Sequence, residues 1–400
     1  MAHRHGKKHA VKAWRRLLSG FGVSAGALVA AAAVTASAAA PAKADFDDLL
    51  DPIVQPILTS LTDSIAVFDP AAALDLTSWT DTLLASLGSF ELALPTADSA
   101  VAAAATGAEP AAAAAAATYD IPITMEIVTE PTIQTTIAGA ENTLLVDTGS
   151  GGLVIPWEGL GSTDLQAFEN LLNLGFPSTF GISGYSGGVE YFYLVYSDLP
   201  TVYGDDVLST SGPVDVELFS WSTNLSDPFG NFQDFLDSNH VDGILGIGDN
   251  AYGPTTSPLE SYGGVTVDIP NGVMTIGPNT DTPLFTVDGA PIATLYETVT
   301  TNDVTSGTTV LNNVDSGGVY GTIPASIGSN LQTGSVISVY DQEGGTLLYQ
   351  YTVGIDSLHQ STAPTAVSGT YIDSGVVPFL TQPIYIDYVD DTMSFYGPTS

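Results

Sequence analysis

Cysteine is missing from all 400 residues, so no disulfide, zinc–thiolate site or cysteine nucleophile can form. A chain of this length can build a large core without covalent staples, so the absence does not exclude export. Basic residues are nearly as scarce. All seven lie in the first 43 positions (Arg4, Lys7, Lys8, Lys12, Arg15, Arg16 and Lys43), and all 44 Asp and Glu follow position 44. Beyond residue 44 the chain therefore carries a formal charge of −44 and cannot form a single Lys or Arg ion pair. Such a body repels nucleic acid and anionic membrane surfaces. Its buried carboxyls need backbone N–H or hydroxyl donors, bound cations or their own protons. Protonation in mild acid relieves the self-repulsion, so stability is expected to hold or improve below neutral pH. Zinc finds no Cys and few His to hold it, and no cofactor is expected. Asp205-Asp206, or the cluster of Asp387, Asp390 and Asp391, offers at most a loose Ca²⁺ site, and acidic turns of this kind are usually only solvated.

Residues 1–44 read as an export signal. A basic stretch ends in Trp14-Arg15-Arg16, an Ala-rich apolar run follows from Leu17 to Ala40, and Ala42-Lys43-Ala44 supplies small residues before Asp45. Arg15-Arg16-Leu17-Leu18 is compatible with a twin-arginine route. An uncleaved anchor is the alternative, because the run is nearly long enough to span a bilayer. Its Ala and Gly content favours cleavage. The chain is expected to be secreted or held at the cell surface, touching the membrane only through this segment if it is retained. Residues 45–96 have apolar positions near helical spacing, interrupted by Pro52 and Pro56. Residues 97–118 form a low-complexity, Ala-rich linker.

From residue 119 the composition changes. Short runs rich in Thr, Val, Ile and Tyr alternate with Gly, Asn, Asp and Pro, as at Ile121–Ile127, Glu190–Val195, Val214–Phe219, Met274–Ile276, Ser335–Tyr340 and Thr346–Val353. The pattern predicts an all-β body with short helices over Asp164–Leu172 and Asn231–Asp237.

The strongest signal is an internal echo. Val146-Asp147-Thr148-Gly149 runs on to Val154-Ile155-Pro156, and Val314-Asp315-Ser316-Gly317 runs on to Thr322-Ile323-Pro324, with eight positions from Asp to Ile in both. One Asp-Thr-Gly carries little information. Two with matching flanks, 168 residues apart, point to duplicated lobes near 119–285 and 286–400. Paired carboxyls suit hydrolysis of an amide: one, ionised, takes a proton from water, and the other, protonated, polarises the carbonyl. Two close carboxyls cannot both ionise easily, so their titrations split and belong to the pair. Gly149 and Gly317 let the backbone approach closely and supply N–H donors, giving them a substrate-binding role as well.

Asp147-Thr148-Gly149-Ser150 with Leu153-Val154-Ile155-Pro156 resembles the first active-site motif of pepsin-like aspartic proteases, a family in which two acids share one proton. Val241-Asp242-Gly243-Ile244-Leu245-Gly246 resembles the family's hydrophobic-hydrophobic-Gly segment beneath the first catalytic loop, and Asp315-Ser316-Gly317 matches the second motif. Leu144–Pro156, Asn313–Pro324, Val377-Pro378-Phe379 and Pro383–Tyr388 are similar, more narrowly, to the mycobacterial aspartic proteases that cleave PE domains from surface proteins. The resemblance covers residues 119–400. It implies a bilobal all-β fold, an Asp147/Asp315 dyad, no cofactor or metal, and polypeptide substrates among secreted or surface proteins, including PE-domain proteins. It also implies a β-hairpin flap, for which Gly184-Tyr185-Ser186-Gly187-Gly188 fits by position, with Tyr185 near its tip.

Three alternatives stay open on the sequence. Asp373-Ser374-Gly375 competes with Asp315, but lacks the Ile-Pro echo and is followed by too little chain to finish a lobe. The run Ile372–Phe379 around it is expected to be the second lobe's counterpart of Val241–Gly246. Gly184–Gly188 is also a literal G-x-S-x-G, which would make Ser186 a nucleophile with His240 or His359 as base, although an elbow needs a following helix. A non-catalytic surface binding protein on the same fold is the third.

Overall fold

The computed structural model describes residues 117–185, 188–223 and 230–397. The expected export signal, the helical segment 45–96, most of the linker and Ser186 lie outside these residues.

The described chain is all-β. In the first half, eight strands form one sheet that runs from Thr124–Glu126 through Glu130–Ile137, Ala140–Asp147, Gly243–Ile247, Gly151–Pro156, Leu208–Ser222 and Val189–Tyr203 to Thr179–Tyr185. Glu130–Ile137 also pairs with Val189–Tyr203, Thr135 opposite Tyr203, so the sheet closes on itself like a barrel. In the second half, five strands run in the order Leu347–Thr352, Val336–Tyr340, Ile292–Thr301, Val304–Asn313, Tyr371–Asp373. A third sheet of six strands takes hairpins from both halves, Gly264–Asp268 with Val273–Ile276 and Ile384–Asp387 with Thr392–Phe395.

Sequence pattern explains where the central strands lie. Gly151–Pro156 has no polar side chain and all six of its residues are buried, because it is flanked by Leu208–Ser222 and Gly243–Ile247. Ile121, Val146, Leu245, Val314, Phe379, Ile386 and Phe395 belong to one continuous apolar core that crosses between the halves. Burying such side chains contributes roughly 1.5–3 kcal/mol each.

The two short helices form at Asp164–Asn173 and Phe232–Asn239. Each begins with a side-chain cap: Thr163 accepts from Gln166 N–H and Asn231 from Asp234 N–H. The run Ile121–Ile127 is not one strand but two. Tyr119–Pro122 joins the six-stranded sheet beside Val273–Ile276, whereas Thr124–Glu126 joins the first barrel. Pro122 ends the first ladder, and Ile123 donates instead to Gly272 O at 2.8 Å.

Candidate active site

Strand Ala140–Asp147 delivers Asp147 at its C-terminal end. It runs parallel to Gly243–Ile247, with Asp147 opposite Gly246. A Cβ at Gly246 would lie 2.6 Å from Gly151 C, so only glycine lets the returning chain pass beneath the loop. The second half repeats the arrangement. Val304–Asn313 runs parallel to Tyr371–Asp373, with Asn313 opposite Asp373. The pairing is extended by Ser374 N–H to Asn313 O at 2.9 Å and Asp315 N–H to Ser374 Oγ at 3.0 Å. Asp373-Ser374-Gly375 is thus the structural counterpart of Ile244-Leu245-Gly246.

The two loops are tied together by four reciprocal hydrogen bonds. Thr148 N–H donates to Ser316 Oγ at 3.0 Å, and Ser316 N–H donates to Thr148 Oγ1 at 2.8 Å. Each hydroxyl donates its own proton across the interface, Thr148 to Val314 O and Ser316 to Val146 O, both at 2.7 Å. Both side chains are fully buried. Thr148→Val keeps the shape but strands Ser316 N–H and Val314 C=O without partners. It is expected to cost about 2–4 kcal/mol. Thermal unfolding should show Tm lower by about 5–10 °C. In a double-mutant cycle with Ser316→Ala the losses should be clearly non-additive.

Within this frame the two carboxyls face each other. Asp147 Oδ1 accepts from Gly149 N–H at 2.7 Å and Oδ2 from the Ser150 hydroxyl at 2.6 Å. Asp315 Oδ1 accepts from Gly317 N–H at 2.8 Å. A Cβ on Gly149 would collide with the Asp315 carboxyl, and one on Gly317 would lie 2.7 Å from Asp147 Cγ. Each glycine is therefore packed against the opposite aspartate, and the side-chain-free backbone is what permits the approach. Asp147 is 7% and Asp315 8% exposed. Burial first, then the charges of Asp147 and Asp373, push Asp315 well above the ordinary carboxylate range.

Residues 119–395 match the family described as the PE-PGRS C-terminal aspartyl peptidase-like domain. The chain belongs to this family. Its relatives include PE cleavage protein A of Mycobacterium tuberculosis (strain CDC 1551 / Oshkosh), 36% identical over 290 residues, which is 67% of this chain and 49% of that protein. PE cleavage protein A of Mycobacterium marinum (strain ATCC BAA-535 / M) is 36% identical over 294 residues, 67% of this chain and 50% of that protein. The chain spans about half the length of the curated relatives it matches.

In this aspartyl peptidase-like domain the other expected site residues fall as follows. Tyr185 ends strand Thr179–Tyr185, paired antiparallel with Val189–Tyr203 in a hairpin. Its ring stacks on Phe232 at 5.5 Å, Tyr191 at 5.5 Å and Phe235 at 6.2 Å between centroids. Burial, then Tyr191 and Asp147, push its hydroxyl up. The described strands on either side of residues 186–187 pair antiparallel with each other, whereas a nucleophile elbow needs a strand followed by a helix. His240 caps helix Phe232–Asn239 with φ 58°, and His359 occupies a turn after Asp356. Asp205 and Asp206 form a turn with positive φ, and Asp387 Oδ1 accepts from Val389 and Asp390 N–H. Among the described residues no three His, Asp or Glu side chains gather as a metal site.

Sequence reasoning misses three contributors: Ser150, Ser374 and the Asp373 side chain. Ser150 is visible as the residue completing Asp-Thr-Gly-Ser. The other two lie inside the third Asp-Ser-Gly, whose place beneath the second loop is expected from the sequence but whose side-chain contacts are not.

Proposed function

We propose that the chain is an aspartic endopeptidase in which Asp147 and Asp315 act on water held between them. Asp147, which accepts from Gly149 and Ser150, takes a proton from the attacking water. Asp315, carrying the other proton, polarises the scissile carbonyl and hydrogen-bonds the oxyanion as it forms. Asp315 passes its proton to that oxygen to give the tetrahedral diol. On collapse Asp147 hands the proton it took to the leaving amine, and a diol hydroxyl returns a proton to Asp315 as its C–O becomes the product carboxyl. The Thr148–Ser316 lock carries this reading, because it presents two acids from separate halves to one point. In this reading Tyr185 and the strands Thr179–Tyr185 and Val189–Tyr203 cover substrate, and the backbone of Gly149 and Gly317 lies beside the scissile bond. A dyad with one shared proton works best in acid and fails once Asp315 ionises.

The relatives are named for cleavage of PE proteins. We extend that substrate class to this chain, acting on exported proteins that carry a PE domain, with residues 1–44 as the export signal. Peptide hydrolysis should be blocked by a statine-containing peptide, whose tetrahedral hydroxyl imitates the diol, at concentrations at least about 100-fold below those of the matching substrate analogue. An organophosphonate serine reagent should leave the rate unchanged. The opposite pattern would favour Ser186, and binding of peptides without any turnover would favour a non-catalytic surface protein.

A further inference from the structure

Asp373 lies beside the dyad, yet none of the steps above uses its carboxyl. The first half has Ile244 opposite Leu145, two residues ahead of Asp147. The second half has Asp373 opposite Asn313, two residues ahead of Asp315. A carboxyl thus stands where the first half buries isoleucine. A second asymmetry faces it. Ser150, three residues after Asp147, donates to Asp147 Oδ2. The residue three after Asp315 is Gly318, which has no side chain to donate. A Cβ on Gly318 would lie 3.0 Å from Asp373 Oδ1 and 3.2 Å from Asp315 Oδ2. Asp373 occupies the space that a residue-318 hydroxyl would have used, within hydrogen-bonding reach of Asp315.

We propose that Asp373 is a positioning residue for the dyad, its carboxyl replacing the hydroxyl missing at residue 318 and holding Asp315 through a shared-proton hydrogen bond. The proposal rests on the aspartic protease reading. Asp373 is itself fixed at both ends, its Oδ1 accepting from Gly375 N–H at 2.7 Å and its own N–H donating to Thr322 Oγ1 at 2.9 Å. Two carboxyls in contact need a proton between them, because ionised carboxylates only accept. The titratable groups around Asp373 are Asp315 and Asp147 from the two catalytic loops, Tyr349 from Leu347–Thr352 and Tyr371 on its own strand. None of these can carry positive charge, and there is no Lys or Arg after residue 43. Both the charge of Asp373 and its hydrogen bond raise Asp315, so Asp373 keeps Asp315 protonated further toward neutral pH.

The test is kcat/KM against pH for the full chain as wild type, Asp373→Asn, Asp147→Asn, and a double variant of Asp373→Ala with Gly318→Ser, each with its Tm. Asp373→Asn preserves the turn to Gly375 but removes the ionisable proton. It should lower kcat/KM about 10- to 100-fold, the size of one hydrogen bond to a charged group. The alkaline limb should also move toward acid. The double variant, which restores a first-half-like hydroxyl, should recover most of the rate. Wild-type kcat/KM and pH profile in Asp373→Asn, with Asp147→Asn inactive, would overturn the role of Asp373 while leaving the protease standing. An active Asp147→Asn would instead remove the protease reading. Asp373→Asn as inactive as Asp147→Asn, at native Tm and without recovery in the double variant, would make Asp373 a reacting group and overturn positioning. If Asp373→Asn does not fold, the double variant decides: recovered rate supports the proposal, and a folded but inactive double variant overturns it.

Discussion

Asp315→Asn is expected to lower kcat/KM on a peptide substrate by at least about 10³-fold while leaving the Tm within a few degrees of wild type. The amide fills the same space and its oxygen still accepts from Gly317 N–H, the 2.8 Å contact that orients the side chain. What is lost is an ionisable group that burial and the neighbouring acids bias toward its protonated form. Asp147→Asn should be equally inactive for the opposite reason, because an amide cannot take a proton from water. Combining the two should cost little more than either alone, since both act in one step. Rates on a quenched peptide library would measure this, and near-wild-type turnover by either single variant would rule out the dyad.

The second large effect concerns folding. Three acids unconnected with the dyad are fully or almost fully buried: Asp215, Glu217 and Glu297. Burial pushes them up to about 7, about 8 and about 8 respectively. Thr255 donates to Asp215 Oδ2 at 2.7 Å, but Asp215 Oδ1 and Glu297 Oε2 have no partner. In the unfolded chain these groups titrate near pH 4. Their folded values are higher, so the folded state binds protons more tightly. Their contribution is complete below about pH 4, declines as pH rises toward 7–8, and is gone above that. Each shift corresponds to on the order of 4 kcal/mol, against a typical total stability of about 5–15 kcal/mol. The Tm is therefore expected to fall by more than about 10 °C between pH 5 and pH 9. Glu297→Gln should flatten that slope. Calorimetric scans across the range would check both, and a Tm that is level or climbs toward pH 9 would contradict the assignment of these acids as buried and neutral.

These buried acids were the least legible part of the sequence. In Val214–Phe219, alternation places Asp215 and Glu217 on one face, which in a strand with a single packed side would be solvent. Val214–Glu217 is instead buried on both faces within the closed sheet, so period-two reasoning misjudges exposure there. The aspartate pair was legible because the motif occurs twice with equal Asp-to-Ile spacing; both short helices were also expected, although Asn231, read as the first helical residue, is the cap before Phe232. The division of Ile121–Ile127 was not, since nothing local says that the two sides of Pro122 join different sheets. Asp373 shares its tripeptide with Asp315. All three Asp-[Ser/Thr]-Gly turns make the same aspartate-to-glycine N–H bond, so local chemistry cannot rank them. The missing Ile-Pro echo and the short remaining chain rank the third below the second, and pairing with Asn313 shows it lying beneath that loop.

The crossed hydroxyls have a consequence for ancestry. A clasp in which each arm fastens to the other's backbone closes equally well between two copies of one chain. Joining the copies end to end removes the demand that they stay alike, and here they have drifted apart where it matters most, with serine backing one acid and a further acid backing its twin. Symmetry would force both partners to share every task. Its loss leaves the two acids free to differ.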